Sequence, residues 1–259
     1  MSRLEQNLSA VRERIAAAAR AAGRDPVEVS LLAVSKTWPA EDVRALAAHG
    51  QVDFGENRAQ ELIGKAGELP DLPVRWHFIG QLQRNKAAAV ARLGAVVHSV
   101  DRPALVGVLD RVGQEAERPV EVFVQVDLGG PEGDLAARGG ADPLEVPRLA
   151  DAVAEAPGLR LLGLMAVAPR GVAPRPAFER LAALAAQVCR DHPSAAARSA
   201  GMSGDLEEAI AAGATVVRVG TALFGDRPLP SGQHQISPAT RVTPVTGAPG
   251  APVTGTTTN

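Results

Sequence analysis

The sequence predicts an α/β fold, namely a single (β/α)8 TIM barrel with an extra N-terminal helix and a disordered C-terminal tail. Short apolar or β-branched runs alternate with Ala-rich helical stretches along most of the 259 residues, which is typical of a parallel sheet. Eight such runs fit into a length at which barrels often form one domain. A doubly wound open sheet is the alternative, but the G-x-G-x-x-G phosphate signature that it would need after its first strand is absent.

The first element is the extra helix, predicted at about residues 2–22. Apolar residues recur at helical spacing from Leu4 to Ile15, and Gly23 ends the pattern. The barrel strands follow, and they are predicted at 29–34, 52–54, 74–80, 95–100, 120–127, 159–167, 196–201 and 215–220. Stretches between them, such as "AEDVRALAAHG", "LAALAAQVCR" and "DLEEAIAAG", have a helical pattern. Because barrels build their sites at the carboxyl ends of the strands, residues that follow a strand are the candidates for function.

Two segments lack any periodic pattern. Residues 226–259 are rich in Pro, Gly, Thr and Ser and cannot bury enough apolar surface to offset the entropy of ordering. We therefore predict a barrel domain at 1–225 and a disordered tail at 226–259. The second segment, "DLGGPEGDLAARGGAD", follows the fifth strand and is predicted as a loop on the face that carries the site.

Composition excludes several classes of protein. The formal net charge is −2 and no run is rich in Lys or Arg, so we expect no nucleic acid and no membrane surface as a partner. The N-terminus lacks the apolar core of a signal peptide, and no run approaches the roughly 20 apolar residues that cross a bilayer. The single cysteine, Cys189, excludes an intrachain disulfide framework and fits a reducing compartment. The sequence therefore predicts a cytoplasmic protein.

Lys36, in "LLAVSKTWP", is one of only three lysines in a chain whose lysines and arginines together number 27. It follows the first predicted strand and therefore lies at the carboxyl-end face of the barrel. An amine can lose its proton and form an imine, which a guanidinium cannot do. The alternative is a rim ion pair with a carboxylate. The other two lysines, Lys65 and Lys86, occur in polar helical stretches and are predicted to be solvated.

Two glycine-containing turns follow the seventh and eighth predicted strands. "GMSGDLEEAIAAG" precedes a helix whose Asp205 and Glu208 have the spacing of a variant capping box, and "RVGTALFG" places Gly220 and Thr221 directly after the last strand. Backbone N–H groups at such turns bind phosphate, and barrels use these two loops for that purpose. The alternative is that the glycines only close tight turns. Together with Lys36, the turns indicate a ligand that carries both an aldehyde and a phosphate.

Several stretches of the sequence together resemble one known family. They are "LLAVSKTWP", "FGENRAQE", "WHFIGQLQRNK", "HSVDRP", "GLMAVAP", "GMSGDLEEAIAAG" and "VRVGTALFG". In content and order they resemble the YggS/PROSC family of pyridoxal 5′-phosphate (PLP) homeostasis proteins, which share the barrel of the alanine racemase N-terminal domain. The resemblance spans about residues 4–225 and implies PLP as the cofactor.

The resemblance also implies roles for single residues. Lys36 stands where the family has the lysine that forms the internal aldimine with PLP. Ser203, Gly220 and Thr221 stand where the family has its phosphate cup. Arg218 stands where the family directs an arginine at the pyridine nitrogen.

One further family position and two departures from the family's pattern lie close to these residues. Asn57 belongs to the "GEN" motif near the cofactor. Arg58 stands where Tyr is common, and "RSAGMS" stands where "LSMGMS" is expected. The departures leave Ser199 in place.

Three classes of function follow from these residues. In a non-catalytic PLP carrier, Arg218 leaves the ring nitrogen unprotonated and so weakens the electron sink that catalysis on amino acids needs. A PLP-dependent amino-acid racemase is the alternative; alanine racemases add a second domain and use its tyrosine as a base, whereas this chain has no room for that domain after residue 225 and contains no Tyr. A scaffold barrel with purely structural glycines leaves Lys36 unexplained. We expect the carrier, a monomer that exchanges PLP with apo PLP-dependent enzymes.

Other polar residues offer weaker candidates for chemistry. His77, in the third predicted strand, could act as a base, but a strand histidine is more often packed and hydrogen-bonded. Asp53 and Glu56 could form a general acid/base pair, although ordering of a loop is the simpler role. No metal site is predicted.

Overall fold

The computed structural model describes residues 1–129 and 139–225, which form a closed barrel of eight parallel strands. The strands are β1 (Ser30–Val34), β2 (Asp53–Glu56), β3 (Arg75–Phe78), β4 (Val96–Val100), β5 (Val120–Val126), β6 (Leu159–Ala166), β7 (Ala197–Ser199) and β8 (Val216–Val219). They pair in chain order, and β8 closes the barrel against β1, with Leu32 opposite Arg218. The predicted (β/α)8 fold is confirmed.

Nine α-helices lie within the described residues, and most of them connect consecutive strands. They are α1 (Arg3–Ala21), α2 (Ala40–Ala47), α3 (Ala59–Glu68), α4 (Arg84–Arg92), α5 (Pro103–Glu115), α6 (Val146–Ala154), α7 (Arg175–Asp191), α8 (Leu206–Ala211) and α9 (Thr221–Phe224). A 3-10 turn, Pro26–Glu28, joins α1 to β1. The predicted extra helix is therefore α1, and it begins at a capping box formed by Ser2 and Glu5.

Apolar side chains pack in two separate places. The larger core lies between the strands and the surrounding helices and includes the apolar stripe of α1, with Leu8, Val11 and Ile15 buried. A smaller cluster lies inside the barrel and consists of Val96, Phe123 and Met165, with the ring of Phe123 stacked on that of His98. A barrel interior filled in this way is a packed core and not a pore, so ligand space is left only at the barrel ends.

The predicted strand boundaries are close to those in the structure. The second strand was predicted at 52–54 and extends instead from Asp53 to Glu56, since its glycine and glutamate continue the extended backbone. Most of the predicted loop at 127–142 and the whole predicted tail at 226–259 lie outside the described residues. Among the described helices, none combines the length and the apolar character that crossing a membrane requires.

Candidate functional site

A cavity of about 230 Å³ opens at the carboxyl ends of the strands. Five of the residues singled out in the sequence line it, namely Lys36, Ser203, Arg218, Gly220 and Thr221. Its remaining described lining comprises Val34, Trp38, Ile79, Met202, Gly204 and Gly225. The structure thus brings together residues from the ends of β1, β7 and β8 that are up to 185 positions apart in the chain.

A larger cavity of about 440 Å³ lies at the opposite end of the barrel, beside the start of β5. Its polar lining includes Arg118, Glu121 and Arg160. Active sites of barrels lie at the carboxyl ends of the strands, whereas the amino-terminal end serves stability. The smaller cavity is therefore the candidate site.

Lys36 is carried by a tight turn directly after β1. The N–H of Trp38 donates to the carbonyl oxygen of Ser35 at 3.0 Å, so Lys36 and Thr37 are the two central residues of the turn. Thr37 has φ +71°, a value that a β-branched residue rarely adopts. The Lys36 side chain is half-buried and lines the cavity.

Arg218 forms part of the cavity wall from β8 and is almost completely buried. Its Nη1 donates to the carbonyl oxygen of Ser199 at 2.6 Å and to Ser199 Oγ at 2.8 Å, and its Nη2 donates to the carbonyl oxygen of Ala166 at 2.8 Å. Burial lowers the pKa of Arg218 to about 10, against the opposing effect of the charge on Asp205. The guanidinium is therefore a fixed, positively charged donor at neutral pH.

A chain of buried polar groups continues from Ser199 across the barrel interior. Ser199 Oγ lies 3.0 Å from His98 Nδ1, His98 Nε2 lies 2.9 Å from His77 Nδ1, and His77 Nε2 lies 2.8 Å from Asp53 Oδ1. Burial lowers the pKa of His77, and it lowers the pKa of His98 further, where a proton on His77 would also repel one on His98. His77 is thus a packed, hydrogen-bonded residue, as the simpler interpretation predicted. The partner role of His98 was missed, although its motif, "HSVDRP", was noted.

The turn after β7 depends on Gly201. This residue has φ +89°, and a Cβ placed on it would lie 2.6 Å from the Cβ of Ala209. Its carbonyl oxygen accepts the backbone N–H of Arg218 at 2.9 Å, which fixes β7 against β8 beside the cavity. Any side chain at this position would displace α8 or the turn.

The predicted capping box at the start of α8 is wrong. Asp205 occupies the N-cap position but its side chain makes no capping hydrogen bond to the helix. Instead Asp205 Oδ1 accepts the backbone N–H of Met202 at 2.6 Å, so the carboxylate tightens the preceding turn. This contact fixes the segment that carries Ser203 at the cavity.

The short helix α9 begins at Thr221, directly after Gly220, on the other side of the cavity. The first N–H groups of a helix have no carbonyl acceptor within it, so the start of α9 offers donors toward an anion. The ring of Phe224 stacks on Trp38 with centroids 5.7 Å apart. This contact packs α9 against the turn that carries Lys36.

Lys65 is buried, so the prediction of a solvated lysine at this position is wrong. The side chain of Lys65 is only 7% exposed, and its Nζ lies 2.6 Å from Oε1 of Glu56, which is fully buried. Burial raises the pKa of Glu56, and the hydrogen bonds from Lys65 and Ser35 act in the opposite direction. The rarity of lysine in this chain, which singled out Lys36, applies equally to Lys65 and could have identified it.

The remaining predicted positions lie beside the cavity or away from it. Asn57 follows β2, is not among the described lining residues, and contacts Gly80 so closely that a Cβ there would lie 2.1 Å from the Asn57 carbonyl oxygen. Asp53 and Glu56 lie at opposite ends of β2 and bind different partners, so they form no acid/base pair. Among the described residues no group of three His, Cys, Asp or Glu is arranged to hold a metal.

The two departures from the expected motifs do not reach the cavity wall. Arg58 is exposed at the start of α3. Arg198 approaches Gly213 on the helix side of β7, because its neighbour Ser199 takes the position that faces the barrel interior. The site is therefore built without either arginine.

The candidate site of this eight-stranded parallel barrel combines a lysine after β1 with the two turns after β7 and β8. The family described as alanine racemase, N-terminal domain, matches residues 6–228. An alanine racemase from Streptomyces coelicolor shares this fold with a TM-score of 0.67 at 20% identity, and the match covers 86% of this chain and 58% of the racemase.

Other relatives are much more similar over their full length. The pyridoxal phosphate homeostasis protein of Pseudomonas aeruginosa is 46% identical over 233 residues, which cover 88% of this chain and 97% of the relative. That of Escherichia coli K12 is 41% identical over 234 residues, with 88% and 98% coverage. The chain belongs to the family of pyridoxal phosphate homeostasis proteins. Among solved structures, PipY of Synechococcus elongatus with PLP bound has a TM-score of 0.74 at 35% identity and covers 86% of this chain and 100% of PipY.

Proposed function

We propose that this chain binds PLP as a Schiff base on Lys36 and serves as a non-catalytic PLP homeostasis protein that delivers the cofactor to other proteins. The observation that carries the proposal is the cavity in which Lys36, Arg218 and the two turns after β7 and β8 meet. The names of the relatives support it, as does PipY, a similar structure with PLP bound.

The residues present fit the chemistry of PLP. Lys36 would supply the amine, and PLP, when bound, would supply an aldehyde with which an amine forms an imine by loss of water. Ser203, Gly220 and Thr221 line the same cavity, and their hydroxyl and backbone donors support a phosphate site there. Arg218 is the group that faces the pyridine nitrogen in this proposal. Asn57 is proposed to lie near the cofactor, and its contact with Gly80 supports a role in shaping the loops around the cavity.

The fixed guanidinium of Arg218 supports a carrier more than an enzyme. Bound PLP supplies an aldehyde and an electron-withdrawing ring, and the ring withdraws electrons most strongly when its nitrogen is protonated. Because Arg218 can only donate, a nitrogen that faces it stays unprotonated. Arg218 also has its Nη1 and Nη2 held by Ser199 and Ala166, so it cannot turn away.

A PLP-dependent amino-acid racemase is the second candidate, because the family match and the shared fold include alanine racemases. Racemisation needs an acid or base on each face of the substrate α-carbon. Lys36 can supply one of them. His77 and His98 are buried in the hydrogen-bonded chain behind Arg218, and the printed sequence contains no tyrosine. These features favour the carrier.

Exchange of the α-proton of amino acids in deuterated water tests the choice between carrier and racemase. We expect the PLP-loaded protein to show no enzymatic exchange by NMR, and to pass PLP to an apo PLP-dependent enzyme, whose activity then reports the transfer. The Lys36→Ala variant is the control for chemistry at the site. Exchange at about 1 s⁻¹ or faster that disappears in Lys36→Ala would establish an enzyme instead.

We further propose a cytoplasmic monomer whose partners are PLP and apo PLP-dependent enzymes, with the PLP-binding barrel at 1–225 followed by the tail at 226–259. The single Cys189 supports a reducing compartment. Light scattering of the purified protein checks the oligomeric state, and a mass of two chains would contradict the monomer.

A further inference from the structure

The turn that carries Lys36 is held from both flanks by side chains of β2 and α3. Before Lys36, the hydroxyl of Ser35 donates to Glu56 Oε1 at 2.7 Å, and the carbonyl oxygen of Ser35 accepts from Lys65 Nζ at 2.7 Å. After Lys36, the backbone N–H of Thr37 donates to Glu61 Oε1. The backbone of Lys36 is therefore fixed between two hydrogen-bonded neighbours.

Lys65 links the two flanks. Its ammonium group has three N–H donors, and three acceptors surround it: the carbonyl oxygen of Ser35, Glu56 Oε1 at 2.6 Å and Glu61 Oε1 at 3.1 Å. A buried ammonium with all of its donors used is not available to react with a ligand. A buried ion pair also holds its geometry closely, because movement of either partner leaves a charge unpaired.

The conformation held in this way is strained. Thr37 has φ +71° at the third position of the turn, where glycine is the usual residue. Among the described residues, Glu117 is the other non-glycine residue with positive φ, and it lies far from the cavity before β5. Strained backbone that the surroundings enforce beside a functional side chain is a recognised sign of positioning.

We propose that Lys65 is a positioning residue for Lys36. Together with Glu56 and Glu61, it holds the Ser35–Trp38 turn in the strained conformation that directs the Lys36 amine at the aldehyde carbon of the cofactor. The inference rests on the proposed function, because it needs PLP as the ligand of the cavity. In this role Lys65 orients the backbone that carries Lys36 and makes no contact with the cofactor itself.

The test compares PLP with pyridoxine 5′-phosphate, which carries an alcohol in place of the aldehyde and cannot form an imine. In Lys65→Met, we expect the rate of imine formation on Lys36, trapped with borohydride and mapped by mass spectrometry, to fall about tenfold or more. The affinity for pyridoxine 5′-phosphate should change little, because the phosphate cup and Arg218 are untouched. Lys86→Met is the matched control, and we expect it to leave both quantities unchanged.

Lys65→Met leaves Glu56 buried without its cation and can therefore prevent folding. A second, milder variant tests the same role without this effect. Glu61→Ala removes the acceptor of the Thr37 N–H from a partly exposed position. We expect slower imine formation and faster hydrogen exchange at the Thr37 amide, which is measured without any ligand. Adding Thr37→Gly should restore part of the rate, because glycine adopts positive φ without strain.

The outcomes separate this inference from the proposed function. If the wild-type protein forms no borohydride-fixed adduct on Lys36, the proposed function fails. If the wild type forms the adduct but both Lys65→Met and Glu61→Ala react at the wild-type rate, the positioning role is wrong and the proposed function stands. The positioning role would also be wrong if Glu61→Ala lowered the affinity for pyridoxine 5′-phosphate as much as it lowered the rate of imine formation with PLP. Such a result would indicate damage to the whole cavity.

Discussion

Arg218 and Asp53 lie at the two ends of the buried polar chain, and each end permits only one direction of hydrogen bonding. A carboxylate only accepts, so a neutral His77 must carry its proton on Nε2. His98 then carries its proton on Nε2, and the hydroxyl of Ser199 donates to His98 Nδ1 while it accepts from Arg218. Two neutral histidines therefore support Arg218 through the hydroxyl of Ser199.

The lowered pKa values of His77 and His98 predict a pH-dependent stability. Below the ordinary histidine pKa, near 6.5, the unfolded chain takes up protons that the folded chain does not, so the free energy of unfolding falls as the pH falls. Each histidine contributes at most about 1.4 kcal/mol per pH unit, a slope reached only where it is protonated in the unfolded chain and neutral in the folded one. Urea unfolding between pH 7 and pH 5 measures the slope, and His98→Phe should make it shallower. The same slope in both proteins would contradict the neutral chain.

At the scale of secondary structure, α1 anchors both helices that begin at the cavity. Arg14 Nη1 donates to the carbonyl oxygen of Ser203 at 2.8 Å, and the rest of its guanidinium pairs with Glu207 at 2.5 and 2.6 Å. Asn7 Nδ2 donates to the carbonyl oxygen of Leu223 at 2.8 Å. The extra helix therefore fixes α8 and α9 relative to each other, which gives the proposed cup a rigid frame.

The cup predicts a phosphate-specific loss of affinity. Ser203→Ala and Thr221→Ala each remove a hydroxyl that can donate to a charged phosphate, worth about 1.5–3 kcal/mol for a buried bond. We expect the affinity for PLP to fall roughly ten- to a hundredfold in each variant. Quenching of Trp38, which lines the cavity, provides the binding signal. Pyridoxal lacks the phosphate and is the control; equal losses for both ligands would place these residues outside the cup.

Across the whole molecule, the sequence predicts the barrel and the meeting of most candidate site residues at one cavity, because both depend on strand order. Once strands alternate with helices, Lys36, Arg218 and the two glycine turns must meet at one end of the barrel. The burial of Lys65 does not follow, because the pattern of "ELIGKAGEL" indicates a helix and not which of its faces meets β1 and β2. Asp205 shows the same limit. Its spacing predicts a helix cap, but in the folded chain its carboxylate accepts a hydrogen bond from the backbone N–H of Met202.

The composition of residues 226–259 predicts that this segment adds nothing to the stability of the barrel. A protein that ends at residue 225 should keep the melting temperature and the PLP affinity of the full chain, because a segment without apolar periodicity contributes no packed core. Thermal unfolding followed by circular dichroism measures the first, and Trp38 quenching measures the second. A loss of more than a few degrees would contradict the predicted disorder.

A visible spectrum before and after borohydride reduction tests whether PLP is held covalently on Lys36. We expect the purified, PLP-loaded protein to be yellow, and reduction to remove the visible band and fix the pyridoxyl group on Lys36 in the mass-mapped peptide. Lys36→Ala should show neither the band nor the adduct, while it retains weaker binding through the cup. An adduct on Lys65 or Lys86, or a yellow Lys36→Ala protein with a fixed adduct, would show that Lys36 does not hold PLP.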